Sequence, residues 1–260
     1  MADASSPAPR APDFGPLAES YDRLRPVDDN WREIFEVLVA EGDLAARRVL
    51  DVGCGTGRVA AALAQRGARV WAIDPSPQML AQARANAGPG VGFKQARAEA
   101  LPFKEGWFER AVLRLVAHLV DRERAFGEIH RVLVRGGIAV LATFDPEHFG
   151  GFWLPQLFPT VLKIDRRRFP APQKLADELR AAGFRDVRAR TLRQHASLSR
   201  SEALERIRGR YISTLTLLDD DELAAGLARA ESDLPPTVRH EIVWSVLAAH
   251  RPLDAVRPAR

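Results

Sequence analysis

The feature that most limits the possible folds is an alternation of short apolar runs and amphipathic segments between residues 47 and 144. The apolar runs predict five strands, at 47–52, 68–73, 91–95, 110–116 and 137–144. The segments between them predict three helices, at 57–66, 76–86 and 121–134. Several of these strands are almost continuously apolar, which is typical of parallel strands covered on both faces. Strands alternating with helices form right-handed βαβ units, so the sequence predicts an α/β fold with a doubly wound, mostly parallel sheet.

The alternation stops after Phe144 and resumes only in part. Further elements are predicted as an N-terminal helix at 29–41, helices at 172–182, 200–212 and 219–231, and strands at 184–192 and 240–249. Residues 1–13, rich in Pro, Ala and Ser, predict a flexible tail before a single domain at 14–260. The intervening segments are too long for simple connections and predict a helical cap built from residues 14–42, 145–170 and 195–235.

Charge and cysteine content narrow the classes of partner. The 260 residues include 38 Lys and Arg against 34 Asp and Glu, but the basic residues are scattered, with one local cluster at 166–168. A nucleic-acid surface concentrates its charge on one face, so a solvated basic surface is favoured and nucleic acid is an unfavoured partner. Cys54 is the only cysteine, which excludes an internal disulfide and a cysteine-built zinc site, and no metal site is predicted.

The sequence has neither an apolar signal peptide nor a run of 18 apolar residues, so we expect no membrane span. These features together predict a cytoplasmic protein.

A glycine-rich turn at 51–57 (DVGCGTG) directly follows the first predicted strand and opens a helix. Glycines let the backbone N–H groups approach a ligand closely, and dinucleotide-binding enzymes share this arrangement. Asp51, however, would repel a pyrophosphate and suits a cofactor that bears an ammonium and a sulfonium. Asp74 ends the next strand, where its carboxylate can accept both hydroxyls of a ribose, although it also suits the start of a helix together with Ser76.

Five segments in order carry a family resemblance: VLDVGCGTG (49–57), AIDPSPQML (72–80), AEALPF (98–103), WFERAVLRLVAHLVD (107–121) and EIHRVLVRGG (128–137). In these motifs the chain resembles the class I S-adenosylmethionine (SAM)-dependent methyltransferases, in the small-molecule branch that includes the ubiquinone and menaquinone C-methyltransferases. The resemblance covers roughly residues 15–192. It implies a Rossmann-like sheet of seven strands in the order 3-2-1-4-5-7-6, with the last strand antiparallel, and SAM as the cofactor.

The resemblance also implies roles for individual residues. The backbone of Gly53 and Gly55 would line the methionine part of SAM, with Asp51 near its amino group and Asp74 at the ribose. The N–H of Ala98 would reach the adenine. Met79 would pack against the adenine, or is simply a buried helix residue, and Tyr21 lies in a segment that folds over the cofactor. The complete predicted cofactor site is Tyr21, Asp51, Gly53, Cys54, Gly55, Gly57, Asp74, Pro75, Met79, Arg97, Ala98, Glu99 and Leu115.

Arg97 departs from the family pattern, which has an aspartate that accepts a hydrogen bond from the adenine amino group. Arginine has only donors and cannot replace that contact, whose loss costs about 1 kcal/mol. The side chain has two other options, stacking on the adenine or pairing with Glu99.

The acceptor side of the site is less constrained. His118 follows the fourth strand and is the candidate general base, with a structural histidine as the alternative. The aromatic stretch 149–153 suits a wall over the substrate or a packed cap helix. The predicted function is methyl transfer to O, N or C of a small molecule. An RNA or protein methyltransferase, and a SAM-binding protein without turnover, stay open as alternatives.

Overall fold

The computed structural model describes residues 14–253 of the chain. Seven strands form one sheet in the order β3-β2-β1-β4-β5-β7-β6. The strands are β1 (Arg48–Val52), β2 (Arg69–Asp74), β3 (Val91–Gln95), β4 (Phe108–Arg114), β5 (Leu133–Phe144), β6 (Arg185–Ser199) and β7 (Thr237–His250). Strands β1 to β5 pair in parallel, whereas β7 is antiparallel to both β5 and β6. The predicted α/β class and strand order are confirmed.

The helices are α1 (Ala18–Leu24), α2 (Asp29–Gly42), α3 (Arg58–Gln65), α4 (Pro77–Asn86), α5 (Arg122–Val132), α6 (His148–Gly151), α7 (Leu154–Leu157), α8 (Pro159–Arg168), α9 (Pro172–Ala181), α10 (Arg200–Arg208) and α11 (Asp220–Asp233). On one face of the sheet the apolar sides of α2 and α3 are buried, and on the other those of α5 and α9. Both faces are therefore covered, as the apolar parallel strands require.

Helix α2 belongs to the layer that packs on the sheet, although it lies within the 14–42 segment predicted for the cap. The Asp28 carboxylate caps its first turn by accepting the N–H of Trp31 at 2.8 Å. Ile34 and Leu38, one turn apart on its apolar side, are fully buried beside strands β1 and β5. The apolar spacing that predicted this helix thus also fixes which side faces the sheet.

Several predicted boundaries shift. Strand β4 ends at Arg114, two residues before the prediction, because Leu115 adopts a left-handed backbone with φ of +58°. The helix predicted at 200–212 ends at Arg208, where Gly209 lies so close to Leu24 that a Cβ would come within 2.5 Å. Strands β6 and β7 are longer than predicted, since they pair antiparallel along almost their whole length and the edge strand β6 is mostly exposed and lacks an apolar pattern.

The segment 145–170, which has no clear period, forms the short helices α6, α7 and α8. Residues of α7, α8, α10 and α11, together with Phe152 after α6, form a third hydrophobic cluster, separate from the two that flank the sheet. We call this cluster, helices α6, α7, α8, α10 and α11 and the adjoining Phe169 the cap; it stands over the carboxyl ends of β4 and β5 and the amino-terminal half of β7.

Within residues 14–253, no helix is both long and apolar enough to cross a membrane. The same residues contain no group of three or more His, Cys, Asp or Glu side chains arranged to hold a metal ion.

Candidate active site

A cavity of about 250 Å³ lies between the carboxyl ends of the central strands and the cap. Its sheet side includes the glycine loop at Gly53–Thr56, and its cap side includes the rings of Phe149, Phe152 and Phe169. Open α/β sheets bind ligands at this end of their strands, in the crevice where the strand order reverses. Here that point lies between β1 and β4, whose register places Asp51 opposite Val112.

The glycine loop adopts a backbone that favours glycine. Gly53, Gly55 and Gly57 have φ of +69°, +53° and +79°. A Cβ on Gly53 would come within 2.5 Å of Val116, and one on Gly57 within 2.9 Å of Ala83. A Cβ on Gly55 would meet nothing within 4 Å, because that residue borders the cavity. The first and third glycines are thus required by packing, whereas Gly55 leaves its backbone open to a ligand.

Asp51 is the buried carboxylate at the end of β1. The residue is 2% exposed and its Oδ2 atom has no hydrogen-bond partner among the described residues. Burial and, to a smaller extent, the nearby Asp74 together raise the pKa of Asp51 to about 7. A buried carboxylate oxygen without a partner, at the wall of a cavity, fits the ammonium group of SAM.

Asp74 supports the loop from the end of β2. Its carboxylate accepts the N–H groups of Gly55 and Ser76, both at 2.9 Å. Burial raises the pKa of Asp74, while these two hydrogen bonds oppose that effect. Ser76 in turn caps α4 by accepting the N–H of Met79 at 3.2 Å. Ser76, and not Asp74, therefore caps the helix. The Asp74 carboxylate has further lone pairs with which it can accept hydrogen bonds from the ribose hydroxyls.

The 97–99 turn pairs Arg97 with Glu99, whose side chains approach to 3.5 Å. The Arg97 side chain is 70% exposed, whereas Glu99 is mostly buried and also accepts the N–H of Asp121 at 3.0 Å. Ala98 is buried between them. Of the two options for Arg97, the structure shows the pair with Glu99.

Tyr21 lies on α1 at the mouth of the cavity, with the Arg25 guanidinium 3.9 Å above its ring. Asp22 holds α1 against the glycine loop, because it accepts Thr56 Oγ1 at 2.6 Å and pairs with Arg58 at 2.9 Å. Sequence reasoning missed Asp22, although it stands next to Tyr21 in the segment that resembles the family.

His118 lies in the loop after β4 and lines the cavity. Its ring stacks on Phe169 of the cap with centroids 3.9 Å apart. Nδ1 is buried and has no hydrogen-bond partner among the described residues. Burial lowers the pKa of His118 well below its usual value, and Arg168 and Arg25 add to the effect, so the imidazole is neutral.

The wall opposite the glycine loop also contains residues that no motif indicated. Trp244 of β7 donates its Nε1–H to Oε1 of Gln194 on β6 at 2.8 Å. Arg114, the last residue of β4, lies with its guanidinium 5.2 Å from the centre of the Trp244 ring. No sequence signal could have found Gln194 or Trp244, since both lie in strands that pair only in the folded sheet.

The predicted cofactor residues fall into two groups. The cavity wall includes Tyr21, Asp51, Gly53, Cys54, Gly55, Leu115 and the candidate base His118. The wall does not include Gly57, Asp74, Pro75, Met79, Arg97, Ala98 or Glu99. Met79 is 2% exposed in the interior beside α3. The second group lies toward β2 and β3, where the adenosine part of the cofactor is predicted to bind.

The sheet order, the glycine loop and the unpartnered Asp51 define a Rossmann-like domain that binds a cationic nucleoside cofactor. Residues 50–141 match the model of a methyltransferase domain family. A demethylmenaquinone methyltransferase from Thermus thermophilus is 35% identical over 66% of this chain and 90% of its own length. A ubiquinone biosynthesis O-methyltransferase from Pseudomonas aeruginosa is 31% identical over 67% of this chain and 76% of its own.

Among solved structures, the phosphoethanolamine N-methyltransferase 2 of Haemonchus contortus, in complex with phosphomonomethylethanolamine and S-adenosylhomocysteine, superposes with a TM-score of 0.59 at 19% identity. The match covers 91% of this chain and 57% of that one, and it shows a shared fold. The chain belongs to the SAM-dependent methyltransferase family, and its cofactor is SAM.

Proposed function

We propose that this protein transfers a methyl group from SAM to a small, flat acceptor held under the cap. The observation that carries the proposal is that one cavity is bounded by the glycine loop on one side and by aromatic cap residues on the other. An acceptor packed against the rings of Phe149 and Phe169, which contact each other with centroids 4.9 Å apart, would face the methionine end of the cofactor site. The relatives that act on menaquinone and ubiquinone precursors support a small, flat acceptor.

We assign the methionine end of SAM to the backbone of Gly53 and Gly55, with Asp51 receiving the ammonium. Asp74 would accept the ribose hydroxyls, and the buried turn at Ala98 would meet the adenine. When bound, SAM supplies a methyl group on a sulfonium sulfur, and transfer breaks that carbon–sulfur bond and leaves the electron pair on sulfur. The residues contribute by holding the acceptor in line and excluding water, which accounts for up to about 7–11 kcal/mol of barrier lowering.

His118 is placed to take a proton from the acceptor. Its imidazole is neutral, and its buried Nδ1 has no hydrogen-bond partner among the described residues, so in the tautomer with the proton on Nε2 the Nδ1 atom can accept a proton. A neutral base suits an acceptor that loses a hydroxyl or amine proton as the bond to the methyl carbon forms. The stacking of the ring on Phe169 fixes the direction of the Nδ1 lone pair.

The test is calorimetric titration with SAM and S-adenosylhomocysteine, followed by transfer of a labelled methyl group from SAM to a panel of hydroxylated aromatic compounds. We expect both nucleosides to bind, with label entering an extractable small product. Label that enters total RNA or protein instead would favour the macromolecular alternative. Binding without any labelled product would favour a SAM-binding protein without turnover, and no binding at millimolar concentration would contradict both proposals.

A further inference from the structure

Arg114 is a cation in the cavity wall without a carboxylate of its own. Its Nε atom is buried and has no hydrogen-bond partner among the described residues. No salt bridge within residues 14–253 includes it, and its guanidinium instead lies over Trp244 at 5.2 Å. Burial, with smaller effects of Arg25 and Arg58 against an opposing one of Tyr21, lowers the pKa of Arg114 to about 10. A partly buried arginine remains charged. Without a carboxylate partner in the protein, the free-energy cost of removing its guanidinium from water is not offset by an ion pair.

None of the acidic side chains that line the cavity forms an ion pair with Arg114. Asp28 caps α2 through the N–H of Trp31. Asp165 accepts the hydroxyl of Thr214 at 2.5 Å and lies 4.0 Å from Arg168. Asp51 stands at the end of β1 beside the glycine loop, where the ammonium of SAM is expected. None of these carboxylates is available to Arg114 within salt-bridge distance.

Arg114 lies between the two ends of the cavity: its charge lowers the pKa of Asp51, while its guanidinium lies over Trp244. The glycine loop follows β1, on one side of β4, whereas Trp244 belongs to β7, two strands away on the other side. Since the guanidinium lies over Trp244, it is directed toward the acceptor side.

Arg25 is a second cation of the cavity wall, with its guanidinium between Tyr21 at 3.9 Å and Tyr211 at 6.0 Å and a buried Nη1 atom without a hydrogen-bond partner among the described residues. It lies over the rings of α1 and the cap, whereas Arg114 lies over Trp244 of the sheet.

We propose that the acceptor is an aromatic anion whose carboxylate or phenolate oxygen binds Arg114, with its ring against the aromatic cap wall. This inference rests on the proposed function and names the class of substrate. Charge-assisted contacts from arginine to carboxylate are among the strongest available in a partly dry site. A neutral acceptor of the same shape would leave Arg114 without an anionic partner.

The test compares 2-naphthoate with 2-naphthamide, which match in shape and differ in charge, by calorimetric titration in the presence of saturating S-adenosylhomocysteine. We expect the wild-type protein to bind the acid at least about tenfold more tightly than the amide. Arg114→Gln should abolish this preference and Arg114→Lys should keep most of it. Arg167→Gln, which removes an exposed charge from α8, is the matched control and should leave the preference unchanged.

Three results would contradict the proposed role of Arg114. Equal binding of acid and amide by the wild-type protein, or binding of neither at millimolar concentration, would overturn it while leaving methyl transfer intact. A loss of S-adenosylhomocysteine affinity in Arg114→Gln as large as the loss of naphthoate affinity would assign Arg114 to the cofactor carboxylate instead. If the wild-type protein fails to bind S-adenosylhomocysteine at all, the proposed function itself fails.

Discussion

At the scale of single residues, the site is defined by polar groups whose partners are missing. Asp51, His118 and Arg114 each have a buried nitrogen or oxygen without a hydrogen-bond partner among residues 14–253. Buried polar atoms are nearly always paired in folded proteins, so such atoms gathered in one cavity indicate ligand groups. The three groups suit different ligand atoms. The carboxylate can bind a cation, the neutral imidazole can accept a proton, and the guanidinium can bind an anion.

Asp51→Asn should stabilise the protein without ligand and weaken its binding of SAM. The pKa of Asp51 is about 7 in the folded protein and near 3.8 otherwise, so the folded state holds the proton to higher pH. Stability therefore falls as pH rises from about 4 to about 7, and above that range the cost of the buried charge is complete. We expect a Tm gain of a few degrees for Asp51→Asn near pH 8 and almost none near pH 4.

Differential scanning fluorimetry at both pH values measures this gain, and calorimetry measures the companion loss of SAM affinity, which we expect to exceed about tenfold. A gain of the same size at both pH values would show that the gain does not come from the ionisation of Asp51 and would contradict its raised pKa.

His118→Gln should lower kcat by about 100-fold or more while changing the affinity for S-adenosylhomocysteine less than about twofold. The low pKa of His118 keeps the base neutral from about pH 6 to 8, so its protonation should cause no loss of wild-type rate in that interval. His195→Gln, an exposed histidine outside the cavity wall, is the matched control. An unchanged kcat in His118→Gln would assign the ring a structural role against Phe169.

At the scale of elements, the turn between β1 and α3 combines two requirements. Gly57 brings α3 close to Ala83 of α4, so its missing side chain serves packing, whereas the missing side chain of Gly55 keeps the cavity open. Helix α1 is fixed to the same turn through Asp22, which also accepts Asn86 Nδ2 at 2.8 Å from the end of α4. Tyr21 is thereby held over the mouth of the cavity.

Alanine substitutions at Gly57 and Gly55 should have different main effects, one on the free energy of unfolding and the other on ligand affinity. Gly57→Ala places a Cβ 2.9 Å from that of Ala83 in addition to the strained φ, and should destabilise the protein by more than about 2 kcal/mol. Gly55→Ala carries only the backbone strain, about 1 kcal/mol, yet should weaken S-adenosylhomocysteine binding by projecting a methyl group toward the ligand. Urea unfolding and calorimetry on both variants measure the two effects. Equal losses of stability would contradict the division of roles.

The elements differ in how well the sequence predicts them. The parallel strands and α2 follow from apolar spacing, which depends only on neighbours along the chain. Helices α6, α7 and α8 have no apolar period, because residues such as Phe149 and Phe152 face the cavity while Leu154 and Phe158 face the cap interior. The cofactor loop could be predicted from glycines and Asp51. The acceptor wall could not, since Arg114 and Trp244 meet only when β4 and β7 enter the same sheet.

At the scale of the whole molecule, the cap converts a sheet edge into an enclosed site. Gln194 illustrates how the layers are joined: its amide accepts Trp244 Nε1–H and donates to the carbonyl of Asn30 and the carboxylate of Glu33 at 2.9 and 2.8 Å. One buried side chain thus connects β6, β7 and α2 beneath the cavity. These hydrogen bonds connect the strand that carries Trp244 to the helix layer on the sheet, which helps hold the acceptor wall in place.

The most direct test of the account is a crystal structure of the complex with S-adenosylhomocysteine. We predict that the sulfur lies between Gly55 and His118, with the amino group within hydrogen-bonding distance of Asp51. The ribose hydroxyls should donate hydrogen bonds to the Asp74 carboxylate. A nucleoside bound elsewhere, or bound in the reverse direction with its adenine against Phe149 and Phe169, would contradict it.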